Sequence, residues 1–248
     1  MSGDTPTTQT DQPWDFQPAR DHGLSPAERY RSIQREPGLF STTLHVGAVG
    51  ALRAYLRLYH RLAIRGSENL PRNPPFVLIA NHESHLDALI LSAALPLAAR
   101  SRVYPVAAGD VFFESIASSA LSSIFINALP LWRKRATAHA IADLRDRLAL
   151  GRSGYILFPA GARSRDGQML PFKAGLGLIV AQTLVPVIPC FLEGPFEALP
   201  AGRLLPRPVK MEVRVGPALS FADVENTRSG WDEVARRARA AVDRLASP

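Results

Sequence analysis

The chain has 248 residues, 46% of them hydrophobic, which fits one domain or one domain with an appendage and suffices for a real core. Its formal net charge of +7 comes from an arginine-rich excess that suits a nucleic acid, an anionic membrane surface or a phosphorylated substrate. A single cysteine, Cys190, excludes an internal disulfide and suits a reducing compartment or indifference to redox state.

Residues 1–25 are polar and carry Pro6, Pro13 and Pro18, the composition of a disordered or loosely attached tail. They have no basic segment followed by an apolar core, so no signal peptide is expected. Residues 26–61 read as an N-terminal helical segment. Pro26 follows Ser25 at the first position of a short helix. Further on, Leu44, Val46, Val49, Leu52, Leu56, Tyr59 and Leu62 approximate a helical stripe, with Arg53, Arg57 and Arg61 on another face. Two readings of that stripe stay open: a helix lying in a membrane interface, and a helix packed on the core with a solvated arginine face.

From Leu62 onward strands and helices alternate. The expected strands are Leu62–Arg65, Phe76–Ala80, Arg102–Ala107, Leu129–Trp132, Tyr155–Pro159, Val185–Phe191 and Lys210–Val215. The expected helices are His85–Leu95, Val111–Phe125, Thr137–Leu150, Ala174–Leu184 and Trp231–Ala246, with Gly151 closing the third and Ser229 capping the last. The uncharged stretch Ser115–Trp132 is broken by serines and Asn127, so it reads as a buried or membrane-touching helix and a strand rather than a span. This alternation predicts an α/β domain over residues 62–248: a mixed, mostly parallel sheet covered by helices on both faces, with the N-terminal helical segment as an appendage. In such sheets a site is expected beyond the carboxyl ends of the strands.

Two segments lie at such ends. Asn81-His82-Glu83-Ser84-His85-Leu86-Asp87 follows the continuous apolar run Phe76–Ala80. Ser84 and Asp87 have the spacing of a capping box. His82 then falls in a strand-to-helix turn with Asp87 in the first helical turn, where the two side chains can meet. A carboxylate on one imidazole nitrogen leaves the other to take a proton from a hydroxyl. The alternative is that Asp87 only caps the helix and His82 bonds a loop carbonyl. The second segment, Phe158-Pro159-Ala160-Gly161-Ala162-Arg163-Ser164, leaves a strand through small residues. Gly161 allows close approach of backbone to a ligand, and Arg163 offers a fork of donors for phosphate or carboxylate. Lys173 stands near the start of the next helix, where the helix dipole disfavours a cation, so it is available for a ligand anion or reaches into water. The chain has no zinc-ligand spacing, no nucleic-acid recognition motif, no Gly-x4-Gly-Lys loop and no Gly-x-Ser-x-Gly elbow, so neither a metal nor a nucleic-acid partner is expected.

These segments in this order resemble the glycerolipid acyltransferase family, typified by the 1-acylglycerol-3-phosphate acyltransferases. Asn81 to Asp87 is similar to its Asn-His-x-Ser-x-x-Asp block, the His-x4-Asp motif. Ile126 to Arg133 is similar to a strand ending in arginine. Phe158 to Ser164 is similar to Phe-Pro-Glu-Gly-Thr-Arg-Ser, and Val185-Pro186-Val187-Ile188-Pro189 to Val-Pro-Val-x-Pro. Leu170-Pro171-Phe172-Lys173-Ala174-Gly175 fits between the last two.

The resemblance spans about Leu62 to Val215. It implies transfer of a fatty acyl group from a thioester of coenzyme A or acyl carrier protein to a lysolipid hydroxyl, most simply that of 1-acylglycerol-3-phosphate. His82 would be the general base and Asp87 its support. Arg163, the backbone of Gly161 and Ala162, Arg133 and Lys173 would bind the acceptor. No bound cofactor is implied, the thioester being a co-substrate, and the expected setting is peripheral, on the cytoplasmic face of an anionic membrane. The family's Glu and Thr are Ala160 and Ala162 here, which opens two alternatives: a non-glycerophosphate acceptor such as an aminolipid or another alcohol, and a non-catalytic lipid-binding relative.

Overall fold

The structure, a computed structural model, describes residues 23, 39–108, 129–131, 138–151, 153–200, 203 and 205–247. The tail, the short helix at Pro26 and the expected helix Val111–Phe125 lie outside these residues. The described strands are β1 (Ala63–Arg65), β2 (Val77–Ala80), β3 (Val103–Ala108), β4 (Leu129–Leu131), β5 (Gly154–Leu157), β6 (Val187–Glu193) and β7 (Glu212–Val215). The described helices are α1 (Leu39–Tyr59), α2 (Asp87–Ala94), α3 (Leu97–Arg100), α4 (Ala138–Ala149), α5 (Gly175–Val180), α6 (Pro195–Ala198) and α7 (Arg228–Ala246).

The strands form one sheet in the order β1-β7-β6-β2-β5-β3-β4. All pairings are parallel except β6 with β7. β2 is central, and Val77, Leu78, Ile79 and Ala80 are all fully buried. Their side chains alternate between two cores. Leu78 and Ala80 pack with Ile90 and Leu91 of α2 and Leu56 of α1, while Val77 and Ile79 pack with Leu144 of α4, Ile179 of α5 and Val234 of α7. A strand buried on both faces has no reason to alternate in polarity, which is why this segment reads as an unbroken apolar run. Gly177 permits the close seating of α5 on α7, since a Cβ there would lie 2.3 Å from the Trp231 Cα.

Several boundaries differ from expectation. α2 begins at Asp87 rather than His85, since the Glu83 and Ser84 N–H groups are drawn to the Asp87 carboxylate and 84–86 form a turn ahead of the helix. α5 stops at Val180, four residues short of Leu184. The Gln182 N–H is drawn away to Phe221 O at 2.9 Å, and Thr183 Oγ1 donates to Val180 O at 2.8 Å. α7 begins earlier than Trp231, and its cap is Thr227, whose hydroxyl accepts from Gly230 N at 3.3 Å; Ser229 lies inside the first turn. Gly151 does close α4, with φ +71° and its N–H donated to Leu148 O at 2.9 Å. Of the α1 stripe, Leu56 is buried and Leu52 partly so, whereas Tyr59 stays 40% exposed. Among the described residues no helix is long and apolar enough to cross a membrane.

Candidate active site

The end of β2 is held by Asn81. Its Oδ1 accepts from Leu192 N at 2.8 Å and its Nδ2 donates to Leu192 O at 2.9 Å, which fixes the turn against β6. His82 follows, and its Nδ1 lies 2.8 Å from Asp87 Oδ2. The same oxygen accepts from Glu83 N at 2.7 Å and Ser84 N at 2.9 Å. With the carboxylate already an acceptor, Nδ1 is the protonated nitrogen, and Nε2 carries the lone pair. The side chain of Asp87 is 1% exposed and that of His82 21%. The pair is thus anchored from below and open at the imidazole. The ring lies against Phe158, with centroids 4.2 Å apart and planes at 19°.

The capping box forms only in half. Asp87 reaches back to the Ser84 N–H as such a box requires, but the Ser84 hydroxyl accepts from Leu86 N at 3.2 Å and donates to Leu199 O at 2.9 Å. A hydroxyl committed to a carbonyl and directed away from His82 is not arranged as a nucleophile.

β5 runs beside β2, with Leu157 opposite Ile79, so the second turn emerges at the same edge. Ser164 N donates to His82 O at 2.8 Å and joins the two turns directly. Gly161 has φ +71°, and a Cβ there would come within 3.2 Å of Lys173 Nζ, so the lysine ammonium lies across the turn. Ala160 is 4% exposed and Ala162 is exposed. Arg163 is partly buried, and its Nη1 is buried with no hydrogen-bond partner. The guanidinium is near enough to His85 to help lower that imidazole's basicity, after desolvation of the ring and ahead of His82.

The structure therefore brings His82, Asp87, Gly161, Ala162, Arg163 and Lys173 to one edge. Arg133 lies outside the described residues. Three contributors carried no assigned role in the sequence reading: Asn81, Phe158 and Glu83. Asn81 and Phe158 adjoin the motif positions, but their partners come from other strands. Glu83 is a buried carboxyl accepting from Asn81 Nδ2 at 3.0 Å. Burial pushes it up to about 7, with the Asn81 hydrogen bond opposing and the carboxylates of Asp87 and Glu197 adding to the rise. Among the described residues no group of three or more His, Cys, Asp or Glu side chains is arranged to hold a metal ion.

An imidazole supported by a buried carboxylate, on the same edge as an arginine with an unpaired Nη1, can take a proton from a hydroxyl on a molecule whose anionic group the arginine holds. Comparison with known proteins bears on the family and the fold. The family model described as Acyltransferase matches residues 61–193, just over half of the chain. The chain is 30% identical over 164 residues to mouse 1-acyl-sn-glycerol-3-phosphate acyltransferase alpha, covering 64% of this chain and 55% of that one. It is 31% identical over 136 residues to the human protein of the same name, covering 54% and 46%. The chain thus spans about half the length of these curated relatives. Its fold is similar to the crystal structure of the 1-acyl-sn-glycerophosphate acyltransferase PlsC from Thermotoga maritima, with TM-score 0.61, 23% identity, and 85% and 87% of the two chains covered. The matched segment contains both turns of the site and the strands that carry them, and on that ground the chain belongs to the acyltransferase family.

Proposed function

We propose that this protein transfers an acyl group from a thioester of coenzyme A or acyl carrier protein to a hydroxyl of a lysophospholipid, with 1-acylglycerol-3-phosphate as the acceptor. The observation that carries the reading is the 2.8 Å contact between His82 Nδ1 and Asp87 Oδ2, which leaves Nε2 free to act as the base, on the same edge as the unpaired Nη1 of Arg163. In the reaction the acceptor hydroxyl attacks the thioester carbonyl as His82 Nε2 takes its proton. The tetrahedral intermediate collapses, the C–S bond breaks, and the imidazolium returns the proton to the departing thiolate. The products are an ester and a thiol, and no enzyme-bound acyl group is required. Asp87 holds the tautomer and stabilises the transient imidazolium. Arg163, the turn backbone at Gly161 and Ala162, and Lys173 receive the acceptor phosphate, and Arg133 is assigned to the same role. No bound cofactor takes part. The relatives' names support the acceptor class, and the charge balance supports a peripheral setting on the cytoplasmic face of an anionic membrane.

One observation favours a second acceptor class. Ala160 is buried where the family motif has a carboxylate, and Ala162 replaces a hydroxyl, so two polar groups are absent beside Arg163. Loss of such a group shifts preference by about 1–3 kcal/mol without touching the His–Asp pair, which leaves room for an aminolipid or another alcohol.

The test is thiol release from acyl-CoA and from acyl carrier protein, with lysophosphatidate and with a panel of alcohols. His82→Ala should lower the rate by about 10²–10⁴ while the urea midpoint stays near that of the wild type. Full activity in that variant would refute the mechanism, and no turnover with any donor and acceptor would leave a lipid-binding relative instead.

A further inference from the structure

Asp87 fixes one point of the His82 ring and leaves its plane loosely held. The bond between Nδ1 and Asp87 Oδ2 is a single contact at 2.8 Å, and a hydrogen bond tolerates tens of degrees of bending before it weakens steeply. A tilt of that size swings Nε2, at the far side of the ring, off the line along which a hydroxyl must approach. The backbone is tied separately, His82 O accepting from Ser164 N at 2.8 Å. Neither bond sets the orientation of the ring face.

Phe158 supplies that restraint. Its ring lies nearly parallel to the imidazole, with centroids 4.2 Å apart and planes at 19°. The strand register explains the meeting. Along β5, Tyr155 and Leu157 face one core, while Ile156 faces the other and Phe158 packs against it. Leu78 and Ala80 of β2 face that second core as well, and Leu157 stands opposite Ile79. The residue after Leu157 therefore comes up beside the end of β2 on the side of α2, where His82 leaves the strand.

Phe158 is also braced from behind. Its O accepts from Gly161 N at 2.9 Å, and Pro159 O accepts from Lys173 N at 2.9 Å. Its backbone cannot retreat without unmaking the turn that carries Arg163.

We propose that Phe158 is a positioning residue for the base: its ring face holds the His82 imidazole in the plane that aims Nε2 at the acceptor hydroxyl, and it stabilises the imidazolium as it forms. The second effect follows from the ring quadrupole, which attracts a cation within roughly 6 Å of the centroid. That attraction is slight for a neutral imidazole and grows as the proton arrives, so it favours the transition state over the ground state. An aliphatic side chain would fill the space and do neither. If Phe158 only filled the rim of the core, its loss would lower stability without a selective loss of kcat. The inference rests on His82 acting as the base in the proposed function and adds to it the group that orients that base.

The test compares Phe158→Leu and Phe158→Met, both apolar and ringless, with Phe158→Tyr, which keeps the ring. Thiol release is measured with the donor and acceptor pair that the wild type turns over fastest, and folding is read from urea midpoints. The ringless variants should lower kcat about tenfold with the acceptor KM unchanged, the size expected for a lost stacked pair and a small misplacement of the base. Phe158→Tyr should recover most of that loss. In the His82→Ala background Phe158→Leu should cost nothing further, because no imidazole is left to position. In proton NMR spectra of the full chain, the His82 ring signals, identified by their disappearance in His82→Ala, should move downfield in Phe158→Leu as the ring current over the imidazole is lost.

Undiminished kcat in folded ringless variants, a loss confined to KM, equal losses in the wild-type and His82→Ala backgrounds, or no recovery in Phe158→Tyr would each overturn the inference. So would His82 signals that stay in place. These outcomes leave His82 standing as the base. Full activity of His82→Ala, or no turnover by the wild type, would instead refute the proposed function and this inference with it.

Discussion

The turn after β2 and the turn after β5 meet at one edge, yet they are built oppositely. In the first, a single carboxylate oxygen of Asp87 receives His82 Nδ1 and two backbone N–H groups, and Asn81 clamps the chain to β6. Its geometry is over-determined by bonds within the protein. In the second, small residues and a left-handed Gly161 carry an arginine whose Nη1 is buried without a partner. A buried donor left unsatisfied costs about 1–3 kcal/mol, a cost that a bound anion would offset. The contrast separates two duties. The group that moves a proton must be held still, whereas the group that receives a ligand must keep its hydrogen-bonding capacity unspent. A direct bond between the turns, Ser164 N to His82 O at 2.8 Å, ties the two duties together.

The comparison can be broken most severely at Asp87. Asp87→Asn leaves the volume unchanged but replaces an oxygen or presents an N–H where three donors converge. Turnover should fall by about 10²–10⁴, in kcat rather than KM, as read by steady-state thiol release. A change confined to KM would show that Asp87 is only a helix cap.

Arg163→Ala should come next, lowering kcat/KM for a phosphate-bearing acceptor by about 10- to 100-fold through KM. Turnover of an uncharged alcohol in the same variant should stay within a few-fold of wild type. Equal losses for both acceptors would remove Arg163 from the acceptor site.

Glu83 sharpens the first half of the comparison, because burial opposes its charge. Its carboxyl is raised from the usual range to about 7, so the folded state binds the proton more tightly than the unfolded chain. The associated stability is present below about pH 4.5 and is lost as pH rises through 7. Glu83→Gln keeps an oxygen for Asn81 Nδ2 and removes the titration. At pH 8 the variant should be more stable than wild type by on the order of 2 kcal/mol, and the difference should shrink as the pH is lowered toward 4.5, as read by urea midpoints. A difference independent of pH would assign the effect to packing.

The smallest effect on activity is expected at Ser84. Ser84→Ala removes the bond to Leu199 O and the acceptor for Leu86 N, costing about 1–3 kcal/mol of stability. Turnover should remain within a few-fold, with no burst of thiol release. A loss as large as that of Asp87→Asn would restore a covalent acyl-enzyme.

The legibility of these features followed their range along the chain. The strand Phe76–Ala80 was readable because burial on both faces writes an unbroken apolar run. The His82–Asp87 contact was readable because five residues across a strand-to-helix turn leave little freedom. The cap of α7 was misassigned by two residues, since Thr227 and Ser229 both carry hydroxyls and only the backbone path decides which one faces Gly230 N. The shortened α5 was hidden because its end is set by Phe221, far along the chain. Glu83 carried no assigned role, because its burial is set by the surrounding core and its bond to Asn81 rather than by any local pattern.

By itself the sequence determined the chemistry-bearing groups and their local turns, because hydrogen bonds over a few residues and the period of apolar burial are properties of a short segment. The tertiary structure decided that β5 lies next to β2, that β7 runs against β6, and that α1 meets the segment around Pro206. Those neighbours depend on which arrangement of the whole chain buries both faces of β2 at once. That global condition puts Arg163 on the same edge as His82, and no local pattern encodes it.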